Sequence, residues 1–288
     1  MQAGRVEIRD GVIARSILSP TTGFIAEAGF THSLTPARNC TFGCTYCYVP
    51  TMRIQGGLKP EDWRRWGQFT TFKINAADLL RREMRGHQRI YCSPMVDPYQ
   101  PAEECERMMP RILDALIEAP TPPRVFVLQM RGSLVLRDLD RLLAVARRTT
   151  LRVSFSITTN REEIRKLYEP HCAPIAERLD VIRTLRSAGI ETYATLAPLL
   201  PCDPEELALR TLEASGRDLI GDPLHIRSAK PRGATTRDAA FRVSAAQHQQ
   251  AWFDPGFQDD VVERIQVTAR SLGHRFTIGP AGFATLAL

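Results

Sequence analysis

LRVSFSITTNREEIRKLYEPHCAPIAERLDVIRTLRSAGIETYATLA, residues 151–197, reads as a strand, a helix and a second strand. Leu151–Ile157 is a β-rich run, a helical pattern covers Ala173–Ala188 and stops at Gly189, and Ile190–Ala197 is β-rich again. Glycine after the last helical residue is a common stop because it takes up left-handed backbone at no steric cost. The alternation extends outward on both sides, with further strands at Ala28–Thr35, Gln88–Pro94, Arg124–Met130 and Leu219–Ile226 and helical patterns such as AADLLRREMRG between them. Asp203-Pro204 opens another helix, Asp203 as N-cap and Pro204 at the first helical position. Short strands alternating with longer helices predict parallel βα units. Six such steps predict an α/β fold, a partial (β/α)6 TIM-type barrel with a helical C-terminal extension.

The expected organisation is an N-terminal extension over 1–27, a barrel core over 28–226 and an extension packed on it over 227–288. In the last part, helices are expected at Asp238–Trp252 and Phe257–Leu272, followed by a short apolar end. Two segments break the alternation and read as loops or linkers: Pro50 to Asn75, with Trp63-Arg64-Arg65-Trp66 and QFTTFKIN, and Arg227 to Arg237, RSAKPRGATTR.

With 43% hydrophobic and 24% charged residues among 288, the chain has the balance of a globular protein, which excludes disorder as the main reading. No run approaches the ~20 apolar residues of a membrane span. The start, MQAGRVEIRDGVIARS, has no apolar signal block, so a cytoplasmic location and no membrane partner are expected. The net charge of +6 comes from 38 basic and 32 acidic residues, and only Lys59, Lys73, Lys166 and Lys230 among the basic ones are lysine. Arginine forks suit phosphate and carboxylate, so an anionic partner, nucleic acid included, fits this balance. Seven cysteines without a secretion signal point to metal or redox chemistry rather than a disulfide framework.

Three of the cysteines lie together in Cys40-Thr41-Phe42-Gly43-Cys44-Thr45-Tyr46-Cys47-Tyr48, directly after the first expected strand. That position is the C-terminal mouth of the barrel, where such folds keep their active sites. Three thiolates so spaced suit three irons of a [4Fe–4S] cluster, whose fourth iron then has no protein ligand nearby. The competing reading is zinc, which needs a fourth ligand from Cys92, Cys105 or a histidine.

The C-x3-C-x2-C spacing, with an aromatic residue before the last cysteine, resembles the signature of the radical S-adenosylmethionine superfamily. Further stretches are similar to its spore photoproduct lyase-like (DNA-repair-photolyase-like) group: Val96-Asp97-Pro98-Tyr99-Gln100-Pro101, Leu134 to Asp140, Val153 to Thr159, Glu169-Pro170 and Ala197 to Pro201. The likeness spans roughly residues 29 to 205 and leaves the C-terminal third largely uncovered. It implies that Cys40, Cys44 and Cys47 hold the cluster and that the open iron chelates S-adenosylmethionine. One electron then cleaves this cofactor to a 5′-deoxyadenosyl radical that abstracts hydrogen from a substrate. An external reductant, a flavodoxin or ferredoxin, is implied as well.

The resemblance sets Tyr46 against the adenine and Arg131 on the methionine carboxylate, where the family often has lysine. Ser154, Ser156 and Thr158 alternate with Val153, Phe155 and Ile157 along one strand. Polar groups on a parallel strand need a reason to be buried, and cofactor contacts supply one. Asp97 lies just past the second strand as an N-cap or cofactor contact, and Tyr99 beside it is a candidate catalytic residue. In spore photoproduct lyase a cysteine close before the matching aspartate returns hydrogen to the product radical. Here that stretch is Cys92-Ser93-Pro94-Met95-Val96-Asp97, which makes Cys92 the candidate hydrogen donor, with a small buried core residue as its other reading.

Cys105, Cys172 and Cys202 have no assigned role. Glu169 and Arg178 read as a pair near the mouth or as a solvated surface pair. Trp63 to Trp66 reads as a stacking and phosphate-gripping segment or as one packed on the barrel edge. The activity expected is that of a radical enzyme of lyase or oxidoreductase type acting on an unidentified substrate, nucleic acid or nucleotide among the candidates. The alternative is a nucleic-acid-binding protein with a structural iron–sulfur or zinc site.

Overall fold

A computed structural model describes residues 6–52, 58–226 and 235–288. In chain order its strands are β1 (Glu7–Val12), β2 (Leu18–Pro20), β3 (His32–Leu34), β4 (Ala37–Arg38), β5 (Phe69–Lys73), β6 (Arg89–Cys92), β7 (Val125–Met130), β8 (Thr150–Ser156), β9 (Glu191–Leu196), β10 (Leu219–Gly221) and β11 (Phe276–Ile278). Eight of them form one sheet in the order β2-β3-β6-β7-β8-β9-β10-β11. Only the β2–β3 pair is antiparallel.

The six strands from β3 to β10 therefore run parallel and in sequential order, with helices at Ala76–Glu83, Met108–Glu118, Leu139–Ala146, Ile175–Ser187 and Pro204–Ser215 between them. This is the expected α/β architecture, and among the described residues the edge strands β2 and β11 do not pair to close it. Two strands are much shorter than expected, for local reasons. Ala28 caps the short helix Gly23–Glu27 and Gly29 has φ +87°, so β3 begins only at His32. Pro223, which has no N–H to donate to a ladder, follows soon after β10 ends at Gly221.

Side chains alternate across the sheet with the strand period of two. Ile90, Cys92, Phe126, Leu128, Val153 and Phe155 join the large cluster that includes the helices' apolar residues. On the other face Tyr91, Val125, Val127, Tyr193 and Ile220 pack with Ala28 and Phe30 and with Phe283, Leu286 and Ala287 from the end of the chain. Asp203 caps its helix as expected, accepting from Glu206 N at 2.9 Å. The C-terminal helices are Asp238–Ala246 and Pro255–Ser271, and the apolar end contributes β11, beside β10, to the main sheet.

The segment from Pro50 to Asn75 is not simply a loop. Pro60–Arg64 is a short helix, and QFTTFKIN supplies β5, the centre of a second sheet ordered β1-β5-β4. Its parallel partner β1 lies about sixty residues earlier, with Glu7 opposite Phe69, so no local pattern announces it. Trp63 stacks on buried Trp66, ring centroids 6.1 Å apart, so the segment packs rather than presenting both rings to solvent. Most of RSAKPRGATTR, residues 227–234, lies outside the described residues.

Candidate active site

The cysteine loop leaves β4 at Asn39, which has φ +62° and whose Oδ1 accepts from Cys40 N at 2.8 Å and Gly67 N at 2.9 Å. Gly43 has φ +59° and its backbone touches Gly67, where an added Cβ would lie 2.6 Å from Gly43 Cα. Gly67 has no room for a side chain, and the left-handed backbone of Gly43 favours glycine. Thr41 donates from N and Oγ1 to Gln100 Oε1, at 2.8 and 3.1 Å, tying the loop to the segment after β6. Thr45 N donates to Tyr168 O at 2.9 Å, tying it to the helix Glu162–Tyr168 after β8.

Cys40 and Cys44 are buried and Cys47 is partly so. Burial pushes the Cys40 thiol up strongly and that of Cys47 to about 11. Cys44 moves the other way, because a hydrogen bond with Cys172 and the nearby Arg131 cation outweigh its burial. Arg131 Nη1 stands 3.8 Å from Cys44 Sγ and 2.5 Å from Glu169 Oε1, and it also meets the Tyr46 hydroxyl. Tyr46 donates to Glu169 Oε1 as well.

Glu169 is the centre of this group. It is wholly buried, and Oε2 accepts from Arg178 Nη1 at 2.5 Å, while Arg178 Nη2 donates to the Ser156 carbonyl. Burial alone would raise the Glu169 carboxyl, yet Arg178 and Arg131 overcome it and hold the group at about 2. The surface-pair reading of Glu169 and Arg178 is thereby overturned, since both are 0% exposed.

Asp97 lies beside the loop as expected, its N donating to Cys40 Sγ at 3.5 Å. Its carboxylate accepts from Tyr99 N at 2.8 Å and Arg131 N at 2.6 Å, clamping the segments after β6 and β7 together. Burial pushes it up to about 6 despite these partners and the Arg131 and Arg178 cations. Ser154 and Ser156 share a buried row with their neighbours. Gln129 Oε1 accepts from Tyr91 Oη at 2.7 Å and Ser154 Oγ at 2.6 Å, Gln129 Nε2 donates to Ser156 Oγ at 2.9 Å, and Ser154 Oγ meets Thr195 Oγ1 at 2.5 Å. Thr158 follows at the end of the same strand, fully buried, with no hydrogen-bond partner for its hydroxyl among the described residues.

Tyr46, Asp97, Arg131 and the three cysteines thus converge in the segments that follow β3 and β4, β6 and β7. Cys92 and Tyr99 are not part of this constellation. Cys92 is 0% exposed and packs in the helix-side cluster, in register with Leu128, and burial raises its thiol strongly. Tyr99 is buried near Asp138 and Glu103, its carbonyl packed against Gly132. Glu169, read in the sequence as pairing with Arg178 near the mouth or at the surface, and Cys172, which had no assigned role, belong to the group as well. The Glu169-Pro170 stretch was the available signal for the first, whereas nothing local marks Cys172. Cys44, Glu169 and Cys172 have ligating atoms all within 4.8 Å of one another.

An open, mostly parallel α/β sheet with a three-cysteine loop at its C-terminal edge defines the class of protein. The family follows from comparison: the radical SAM superfamily profile matches residues 34–213, and the chain belongs to that superfamily. An uncharacterised protein of Mycobacterium tuberculosis is 28% identical over 198 residues, 66% of this chain and 55% of that protein. One from Methanocaldococcus jannaschii is 27% identical over 163 residues, 56% of this chain and 58% of its partner in the alignment. The chain spans little more than half the length of these curated relatives. Spore photoproduct lyase complexed with dinucleoside spore photoproduct superposes with a TM-score of 0.55 at 15% identity, covering 86% of this chain and 80% of that one. A tyrosine-to-phenylalanine variant of that lyase gives 0.54 at 16% identity. The fold is shared with that enzyme. Among the described residues no helix is long and apolar enough to cross a membrane.

Proposed function

We propose that the chain is a radical S-adenosylmethionine enzyme of lyase or oxidoreductase type in which Cys40, Cys44 and Cys47 hold a [4Fe–4S] cluster. The observation that carries this reading is a loop of three thiols at the edge of a parallel sheet, with the Arg131 cation 3.8 Å from the Cys44 sulfur. The donor set fits: three soft sulfurs each take a separate iron, and an excess of negative charge on a thiolate-bound cluster is met by arginine. Zinc would need a fourth ligand, and the Glu169 carboxylate beside Cys44 is already committed to two arginines.

When bound, the cluster and S-adenosylmethionine supply a 5′-deoxyadenosyl radical for hydrogen abstraction. The chain's own part is to position and shield. The hydrogen bonds of Arg131 to Glu169, Tyr46 and Cys44 all use Nη1, which leaves Nη2 and Nε, among the described residues, for the methionine carboxylate. Glu169 anchors that guanidinium through Nη1 and supplies its buried counter-charge. Asp97 holds the two loops on which Arg131 and Tyr99 sit. Thr158, two residues past β8 and with no partner for its hydroxyl among the described residues, has a hydrogen bond left to give to the cofactor. A flavodoxin or ferredoxin supplies the electron.

The test is anaerobic reconstitution with iron and sulfide, then dithionite reduction with S-adenosylmethionine, following electron paramagnetic resonance and 5′-deoxyadenosine release. A perturbed reduced-cluster signal with 5′-deoxyadenosine is expected, and Cys44→Ala should abolish both. A reduced cluster without cofactor cleavage would return the site to a structural role.

Nucleotide or nucleic acid is the substrate class within this proposal. It is supported by the net charge of +6 and by the fold likeness to an enzyme solved with a dinucleoside. Binding of single- or double-stranded oligonucleotides should weaken as salt rises. Absence of binding at low salt would remove this substrate class.

A further inference from the structure

Cys172 lies in the turn between the helices Glu162–Tyr168 and Ile175–Ser187. It is 5% exposed, and its backbone is held on both sides: its N donates to Glu169 O at 3.0 Å and its carbonyl accepts from Arg165 Nη1 at 2.8 Å. Its sulfur, the Cys44 sulfur and a Glu169 oxygen lie within 4.8 Å of one another. This trio is not an independent metal site. Glu169 spends its two oxygens on Arg131, Arg178 and Tyr46, and two arginines in contact with the carboxylate repel a cation. What remains is a second thiol against the sulfur of Cys44, which Arg131 Nη1 also approaches at 3.8 Å.

We propose that Cys172 is a positioning residue of the cluster site, its thiol donating a hydrogen bond to the Cys44 sulfur and so raising the cluster's reduction potential. This rests on the reading that Cys40, Cys44 and Cys47 hold the cluster. A donor on a ligand sulfur draws negative charge off it. Reduction adds negative charge to the cluster, so the hydrogen bond stabilises the reduced form more than the oxidised one. Hydrogen bonds to ligand sulfurs are among the levers that set iron–sulfur potentials. The buried, fixed position of Cys172 makes the contact independent of substrate.

The parent, Cys172→Ala, Cys172→Val and Cys172→Ser are reconstituted anaerobically, their iron and sulfide are counted, and the cluster is titrated electrochemically by electron paramagnetic resonance without S-adenosylmethionine. Full four-iron loading is expected in all four proteins. The alanine and valine variants, which lack a donor, should have midpoints more negative than the parent, and the serine variant, which keeps one, should recover toward it. Valine fills the space of the thiol and carries the comparison if alanine destabilises the fold. Equal midpoints in the parent and the donor-free variants would overturn the proposal while leaving the cluster reading intact. Loss of iron from the donor-free variants with the fold retained would also overturn it, making Cys172 a ligand. A parent that takes up no four-iron cluster would instead overturn the underlying reading.

Discussion

Two buried polar regions share the same strands and are built differently. Across β6 to β9, Tyr91, Gln129, Ser154, Ser156 and Thr195 form a neutral row whose members meet because register sets Gln129 beside Ser154 and Ser156 beside Thr195. At the strand ends, Tyr46, Arg131, Glu169 and Arg178 form a charged network whose members come from three loops and a helix. The row is satisfied by sheet geometry alone. The network exists only if separate loops arrive together, and a charge left alone there is costly. Neutral polarity can therefore be built into a sheet cheaply, whereas the charged centre doubles as a lock on the loops that carry the cysteines.

The largest expected effect is at the network. Glu169→Gln keeps the shape but leaves Arg131 and Arg178 without a counter-charge, and should destabilise the fold by about 3–5 kcal/mol in denaturant titration. A loss under about 1 kcal/mol would place this carboxylate with weak surface pairs instead.

The same variant should alter acid stability. The folded value of Glu169, about 2, lies below its ordinary 4.5, so its contribution is present above 4.5 and is lost as pH falls toward 2. The cluster-free parent should lose stability across that window, and the difference between parent and Glu169→Gln should shrink there. Asp97 acts with the opposite sign: raised to about 6 from 3.8, it contributes below 3.8 and loses that contribution as pH rises through 6. It is present in both proteins, but it shares Arg131 and Arg178 with Glu169, so the comparison is read between pH 4.5 and 2, below the Asp97 transition. A difference independent of pH would mean that Glu169 is not ionised in the fold.

The neutral row should answer more weakly. Gln129→Leu strands the Tyr91 hydroxyl and takes the amide donor from Ser156, while Ser154 keeps Thr195, and should cost about 1–3 kcal/mol, read by the same titration. Ser154→Ala leaves Gln129 bonded to Tyr91 and Ser156 and should cost about 1 kcal/mol. If the Gln129 variant cost as much as Glu169→Gln, the distinction between the two regions would fail.

Legibility followed the same division. The βα alternation could be read because parallel strands covered on both faces appear as continuous apolar runs, as VFVLQM of β7 does, while the helices between them keep a longer period. The β5 strand in QFTTFKIN could not, because its parallel partner β1 is distant in the chain and its alternation is too short to separate from a loop. Glu169 and Arg178 were visible as a spacing, but burial was not, since a charged pair looks alike in sequence whether water or a second arginine faces it.

The sequence by itself determined the order of the six parallel strands, the helices between them and the three-cysteine loop at the sheet's edge, because these depend on local period, on turn residues and on the chemistry of clustered thiols. Only the tertiary structure decided that Cys92 turns to the helix side while Cys172 comes to Cys44, and that one carboxylate, Glu169, gathers two arginines and a tyrosine. A strand's facing flips with every residue, and contacts between loops far apart in the chain are set by how whole elements pack.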